Sequence, residues 1–230
     1  MRILGVDTSS PATSLALLED GEVAAEYHVR HDHPPSDAVF GLLEGLLRPR
    51  GITVADCDAF AVCVGPGSFT GLRIGLGMAK TFAWALGRPI HGFDSVELLA
   101  ARALRQGAVA EGETFDALFT ALRGSVFAGT FEVSSGVAVR RGDLRYADDL
   151  AGELAVRDAS RPLVALDGEA LPPSLAPRRL ALDPSAAILA AELAAGAIAE
   201  GRPADLDAVQ PTYLKPFSVG RPARTRSDET

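Results

Sequence analysis

Gly65-Pro66-Gly67-Ser68-Phe69-Thr70-Gly71-Leu72-Arg73-Ile74-Gly75 joins an apolar strand to the strongest helix signal in the chain. Its glycines and Pro66 supply backbone shapes that other residues resist, and Ser68 and Thr70 offer side-chain oxygens to a helix start. Gly71, Gly75 and Ala79 recur at i, i+4 and i+8, a smooth stripe along one helical face that lets another helix or strand approach closely. The stretch therefore reads as an anion cradle, a packing seam, or both. A P-loop requires lysine where Leu72 stands, and a dinucleotide fingerprint requires glycine at Thr70. A serine-hydrolase elbow fails too, because Pro66 and Thr70 occupy its glycine places. Amides at a helix start nonetheless attract negative charge whatever the pattern.

Working outward, residues 59–64 form the continuous apolar strand before the loop, and the helix after it runs from about 69 to 86, where Gly87-Arg88-Pro89 ends it. Upstream, residues 3–6 are a short apolar strand closed by Asp7-Thr8-Ser9-Ser10-Pro11, followed by two strands across the Asp20-Gly21 turn. Ser36-Asp37 caps a helix whose apolar positions Val39, Leu42, Leu43, Leu46 and Leu47 recur until Pro49 and Gly51 stop it. Residues 90–93 give a short strand, and Asp94 or Ser95 caps a helix through about 104. Strands joined by hairpins and then through helices order an α/β domain with a mixed sheet. Strand signals return at 115–120, 126–133, 137–144 and 163–166, and an alanine-rich helix to 199 is expected to close a second lobe. The expected organisation is a first lobe over 1–107, a second over 108–216, and a mobile tail over 217–230.

The chain's 230 residues, 47% of them hydrophobic, can bury a sizeable core. A net charge of −8 with only two lysines argues against a broad nucleic-acid surface, so any RNA is held through a partner. Cys57 and Cys63, without metal-ligand spacing, read as buried reduced thiols, which points to the cytoplasm. No leader pattern and no apolar run of membrane-spanning length is present, so no membrane role is expected.

Several residues carry candidate chemistry. Asp7 could orient a magnesium-bound phosphate with Thr8 and Ser9 as donors, and Gly65, Gly67, Ser68 and Thr70 complete a weak nucleotide-binding set; equally, these are ordinary turn formers. His31 and His33 lie in a proline-bearing loop with no third ligand evident nearby. No metal site is expected, and Glu44, Glu97 and Asp37 form no convincing acid/base pair.

Arg2-Ile3-Leu4-Gly5-Val6-Asp7-Thr8-Ser9, the 65–75 loop and Pro211-Thr212-Tyr213-Leu214-Lys215 resemble the TsaB (YeaZ) family, closely over about 1–100 and weakly through the middle. The resemblance implies a two-lobed actin-like ATPase fold, each lobe on a ribonuclease-H-like sheet. It implies a subunit of the bacterial machinery that places threonylcarbamoyl on the adenosine beside the anticodon, with a TsaD-type transferase, a TsaE-like ATPase and a second copy of itself as partners. That transferase holds a metal through two histidines four residues apart; here Ser95 and Leu99 stand in their places, which argues for a non-catalytic paralogue with no catalytic residues. No cofactor is expected to bind the isolated chain tightly, ATP and magnesium belonging to the complex. Thr120-Ala121-Leu122-Arg123-Gly124-Ser125-Val126-Phe127 departs from the family's Asp-Ala-Arg before Gly-Glu-Val-Tyr, which weakens an interlobe cleft. In the family the first two helices dock on the partner, which assigns the interface to Val39, Leu42, Leu46, Phe69, Leu72, Arg73, Gly75, Leu76, Met78 and Ala79. The loop then reads chiefly as the start of a docking helix. The alternative, an ATP-dependent small-molecule kinase of the same fold, would use Asp7, Thr8 and the glycine loop around magnesium-ATP. Against it, Asp167-Gly168-Glu169 places two carboxylates where such kinases have a glycine-rich phosphate turn.

Overall fold

The computed structural model describes residues 1–30, 38–120, 125–166, 171, 175, 177–181 and 185–213. The apolar run after Met1 is strand β1 (Arg2–Asp7), antiparallel to β2 (Ala12–Glu19), which is antiparallel to β3 (Glu22–Arg30). Asp20 and Gly21 join the last two with φ of 51° and 88°, the left-handed pair a tight hairpin needs. Helix α1 (Val39–Leu47) leads to β4 (Ala59–Gly65), parallel to β1, and helix α2 (Phe69–Leu86) leads to β5 (Ile90–Asp94), parallel to β4. The first sheet is thus ordered β3-β2-β1-β4-β5.

After helix α3 (Ser95–Arg105) the plan repeats. Strands β6 (Thr114–Thr120), β7 (Val126–Ser134) and β8 (Val137–Ala147) form an antiparallel meander, and β9 (Leu163–Leu166) and β10 (Arg178–Leu180) add in parallel on the other side of β6. The order β10-β9-β6-β7-β8 is the first sheet's order read from the opposite edge. Two mixed sheets of one topology, flanked by helices, give the α/β architecture expected from the sequence. Helix α4 (Leu150–Val156) and β10 were not anticipated, being too short to carry a periodic signal.

Alternation along β1 sets the layers. Leu4 and Val6 join Leu43, Leu46, Leu76 and Met78 under α1 and α2, while Ile3 on the opposite face joins Leu189, Ala190 and Ala194 of helix α5 (Ala186–Ala199). This corrects the expectation that the alanine-rich helix closes the second lobe: it lies on the first sheet. Its small side chains allow an approach so close that a Cβ on Gly5 would stand 2.0 Å from the Ala187 carbonyl oxygen. Helix α3 crosses the other way, its Val96, Leu99, Ala100 and Ala103 packing on Phe115 and Phe131 of the second sheet. The lobes therefore meet through α3 and α5, each covering the sheet that the order of elements along the chain does not suggest.

Candidate functional site

Two turns converge at the carboxyl ends of β1 and β4. The Thr8 hydroxyl donates to the Gly71 carbonyl at 2.7 Å, the Ser68 amide donates to the Ser9 carbonyl at 2.6 Å, and the Ser9 amide donates to Asp7 Oδ1 at 2.8 Å. Ser68 caps α2 by accepting the Gly71 amide at 3.2 Å, and Gly65 adopts φ of 94° before a cis bond to Pro66. Glycine is required here by crowding: a Cβ would fall 2.4 Å from the Ser9 carbonyl oxygen at Gly67, 1.9 Å from the Thr8 carbonyl oxygen at Gly71, and 2.3 Å from Thr8 Oγ1 at Gly75. Asp7, Thr8, Ser9, Gly65, Gly67 and Ser68 are thus brought together, with Thr70 exposed at the helix start. They are assembled as a seam. The Ser68 amide and the Thr8 hydroxyl, donors a phosphate would need, are spent on backbone carbonyls, so this set fits a nucleotide cradle poorly.

The same crowding corrects the docking-helix reading of the glycine stripe, because the stripe faces β1 and its turn. Val39, Leu46, Leu72, Gly75, Leu76, Met78 and Ala79 are buried in the chain's own first lobe and Leu42 is half-buried, so these side chains cannot form an outward seam. Phe69 and Arg73 do face outward. Arg73 stacks on the Phe69 ring, 3.8 Å from its centroid, and donates weakly to the Tyr213 hydroxyl at 3.4 Å; the Phe69 and Tyr213 rings lie 5.3 Å apart. Gly77 and Thr81 continue this outer face to Trp84, 75% exposed, and on α1 Phe40 is 59% exposed. Trp84 extends the outward row begun by Phe69 and Arg73 and is a candidate contact residue on that ground; neither it nor Phe40 carries a motif in the sequence. The signal was available, since the 3.6-residue period sets Trp84 only about 20° around the helix from the exposed Arg73.

The terminal motif is fixed to this corner. Thr212 donates its amide to the Val64 carbonyl at 2.8 Å, and Lys80 Nζ donates to the Val209 carbonyl at 2.9 Å. Beneath the loop, Ser95 donates to the Pro66 carbonyl at 2.8 Å and contacts Cys63 Sγ at 3.2 Å, while Leu99 is core under the second sheet. Burial pushes the Cys63 thiol well up and the Cys57 thiol up to about 11, so both are held as thiols. Among the described residues no group of three or more His, Cys, Asp and Glu is placed to hold a metal. His31, His33, Ser36, Asp37, the 121–124 part of the divergent turn, Asp167-Gly168-Glu169 and the 217–230 tail lie outside the described residues.

The second lobe holds a charged network that the sequence did not announce. Asp116, 1% exposed, accepts the Thr130 hydroxyl at 2.7 Å and pairs with Arg145 at 3.3 Å and Arg157 at 3.4 Å, while Arg145 also pairs with buried Glu153 at 2.9 Å. With its members mutually paired, it reads as a polar core.

The family model for TsaD, tRNA N6-adenosine threonylcarbamoyltransferase, matches residues 28–139. The tRNA threonylcarbamoyladenosine biosynthesis protein TsaB of Bacillus subtilis is 36% identical over 143 residues, 60% of this chain and 58% of that protein. Its Escherichia coli namesake is 36% identical over 107 residues, 46% of each. The chain thus spans about half the length of the curated relatives it matches. A solved Pseudomonas aeruginosa structure described as similar to peptidase YEAZ superposes with a TM-score of 0.75 at 25% identity, covering 93% of this chain and 99% of that one. A second, YeaZ of the same organism, gives 0.71 at 27% identity with the same coverage. No helix among the described residues is long and apolar enough to cross a membrane.

Proposed function

We propose that the chain belongs to the TsaB (YeaZ) family and is a subunit of the machinery that places threonylcarbamoyl on the adenosine beside the tRNA anticodon. In this role it binds and supports a TsaD-type transferase and does not itself carry out the transfer. The observation that carries this reading is the closure of the glycine loop on the 7–9 turn: the potential cradle is filled by the chain's own backbone, while Phe69, Arg73 and Trp84 on the same helix point outward. Aromatic and arginine side chains on an exposed helix suit a protein contact. A second copy can occupy that face when the transferase is absent. A TsaE-like ATPase, with ATP and magnesium, joins only the assembled complex, and tRNA is reached only through it.

The kinase alternative is less well supported, since it needs Thr8 and the 65–71 amides free for phosphate. Depletion of the protein followed by mass spectrometry of tRNA nucleosides tests the proposal. Threonylcarbamoyladenosine is expected to fall severalfold and to return on re-expression; an unchanged level would overturn the pathway assignment.

A further inference from the structure

Where the lobes meet, α3, α5 and the start of β8 line an open pocket of about 290 Å³, near the lower end of small-molecule sites. Its walls are apolar: Ala101 and Leu104 from α3, Leu189 and Leu193 from α5, Val137 and Ala138 from β8. Glu97, Arg105 and Glu192 also line it, and Arg105 is paired with Glu192. Among the described residues Glu97 has no comparably close cation. The nearest guanidinium, Arg140, sits 2.5 Å from Asp94 and only 3.9 Å from Glu97. Arg202, the other cation acting on Glu97, is itself paired with Glu200 at 2.9 Å. Among the described residues Asp94, Glu97 and Glu192 thus share Arg105 and Arg140, leaving one carboxylate more than guanidinium beside the apolar walls. Burial, and secondarily Asp94, raise the Glu97 carboxyl above its ordinary range against the pull of Arg140.

A half-buried carboxylate beside apolar walls is complementary to one kind of ligand. We propose that this interlobe pocket binds a small organic cation, a primary ammonium group on a short aliphatic chain, with the ammonium on Glu97 and the chain between α3, α5 and β8. The site lies apart from the α2 face, so its failure would leave the proposed pathway role standing. It would also tie the lobes together, because its walls come from helices packed on different sheets.

Titration calorimetry on the full chain with 1-aminohexane tests it, using 1-hexanol and hexanoate as neutral and anionic probes. The amine is expected to bind saturably, at least about tenfold tighter than the alcohol, with no measurable hexanoate binding. Glu97→Gln should bring amine and alcohol to within about twofold of each other, and Ala101→Phe, which fills the pocket, should abolish both. Equal affinity for amine and alcohol in the unaltered protein, no amine binding at all, or amine binding unaffected by Glu97→Gln would each overturn the proposal.

Discussion

The two lobes share a strand order and differ in what fills them. The first is apolar on both sheet faces, with α1 and α2 on one side and α5 on the other, and its tightest contacts are glycine against backbone at Gly5, Gly67 and Gly71. The second is apolar toward α3, but toward α4 it buries Asp116 and Glu153 among arginines beside a smaller apolar cluster of Leu118, Val126, Ala128 and Leu163. One topology thus tolerates two kinds of interior. A glycine seam fixes position through shape and is sensitive to any added atom, whereas an ion network is sensitive to loss of a single partner.

The sharpest way to break the second lobe is Asp116→Ala. It strands Arg157, 6% exposed, leaves Arg145 with Glu153 alone, and should cost about 3–5 kcal/mol in denaturant unfolding. A loss below about 1 kcal/mol would mean that water or Glu153 already neutralises those guanidiniums.

A smaller effect separates the two faces of α2. Gly71→Ala drives a methyl into the Thr8 carbonyl and should destabilise by about 1–3 kcal/mol despite alanine's better helix propensity. Gly77→Ala meets nothing within 4 Å and should stabilise by up to about 1 kcal/mol. Melting temperatures moving in the same direction for both would refute the assignment of inner and outer faces.

Much of this was legible in the sequence because it is local. The hairpin at Asp20-Gly21, the strand-loop-helix unit around Gly65 and the meander after Thr114 each carry turn residues and apolar periods within one short window. What a local pattern omits is the partner across space. The glycine stripe announced a close approach, but that it meets Thr8, 63 residues earlier than Gly71, follows only from the parallel pairing of β1 and β4. Similarly, alanine content predicts that α5 lies close to something without saying which sheet. Arg145 and Arg157 resemble surface charges in the sequence, since nothing near them marks Asp116 as their buried counter-charge. The docking residues were misplaced for a related reason: apolar positions on α2 exceed one stripe, and those assigned outward are the ones the first sheet covers, apart from Phe69 and Arg73.

The central claim is that the outer face of α2, and no nucleotide cradle, is the working surface of this chain. It is tested most directly by sedimentation of the purified chain with the TsaD-type transferase of the same organism, comparing the unaltered protein with Arg73→Glu/Trp84→Asp. The account predicts a stable complex for the former, and for the double variant an affinity loss of about 30-fold or more with an unchanged melting temperature. Unaltered affinity in the double variant would contradict it.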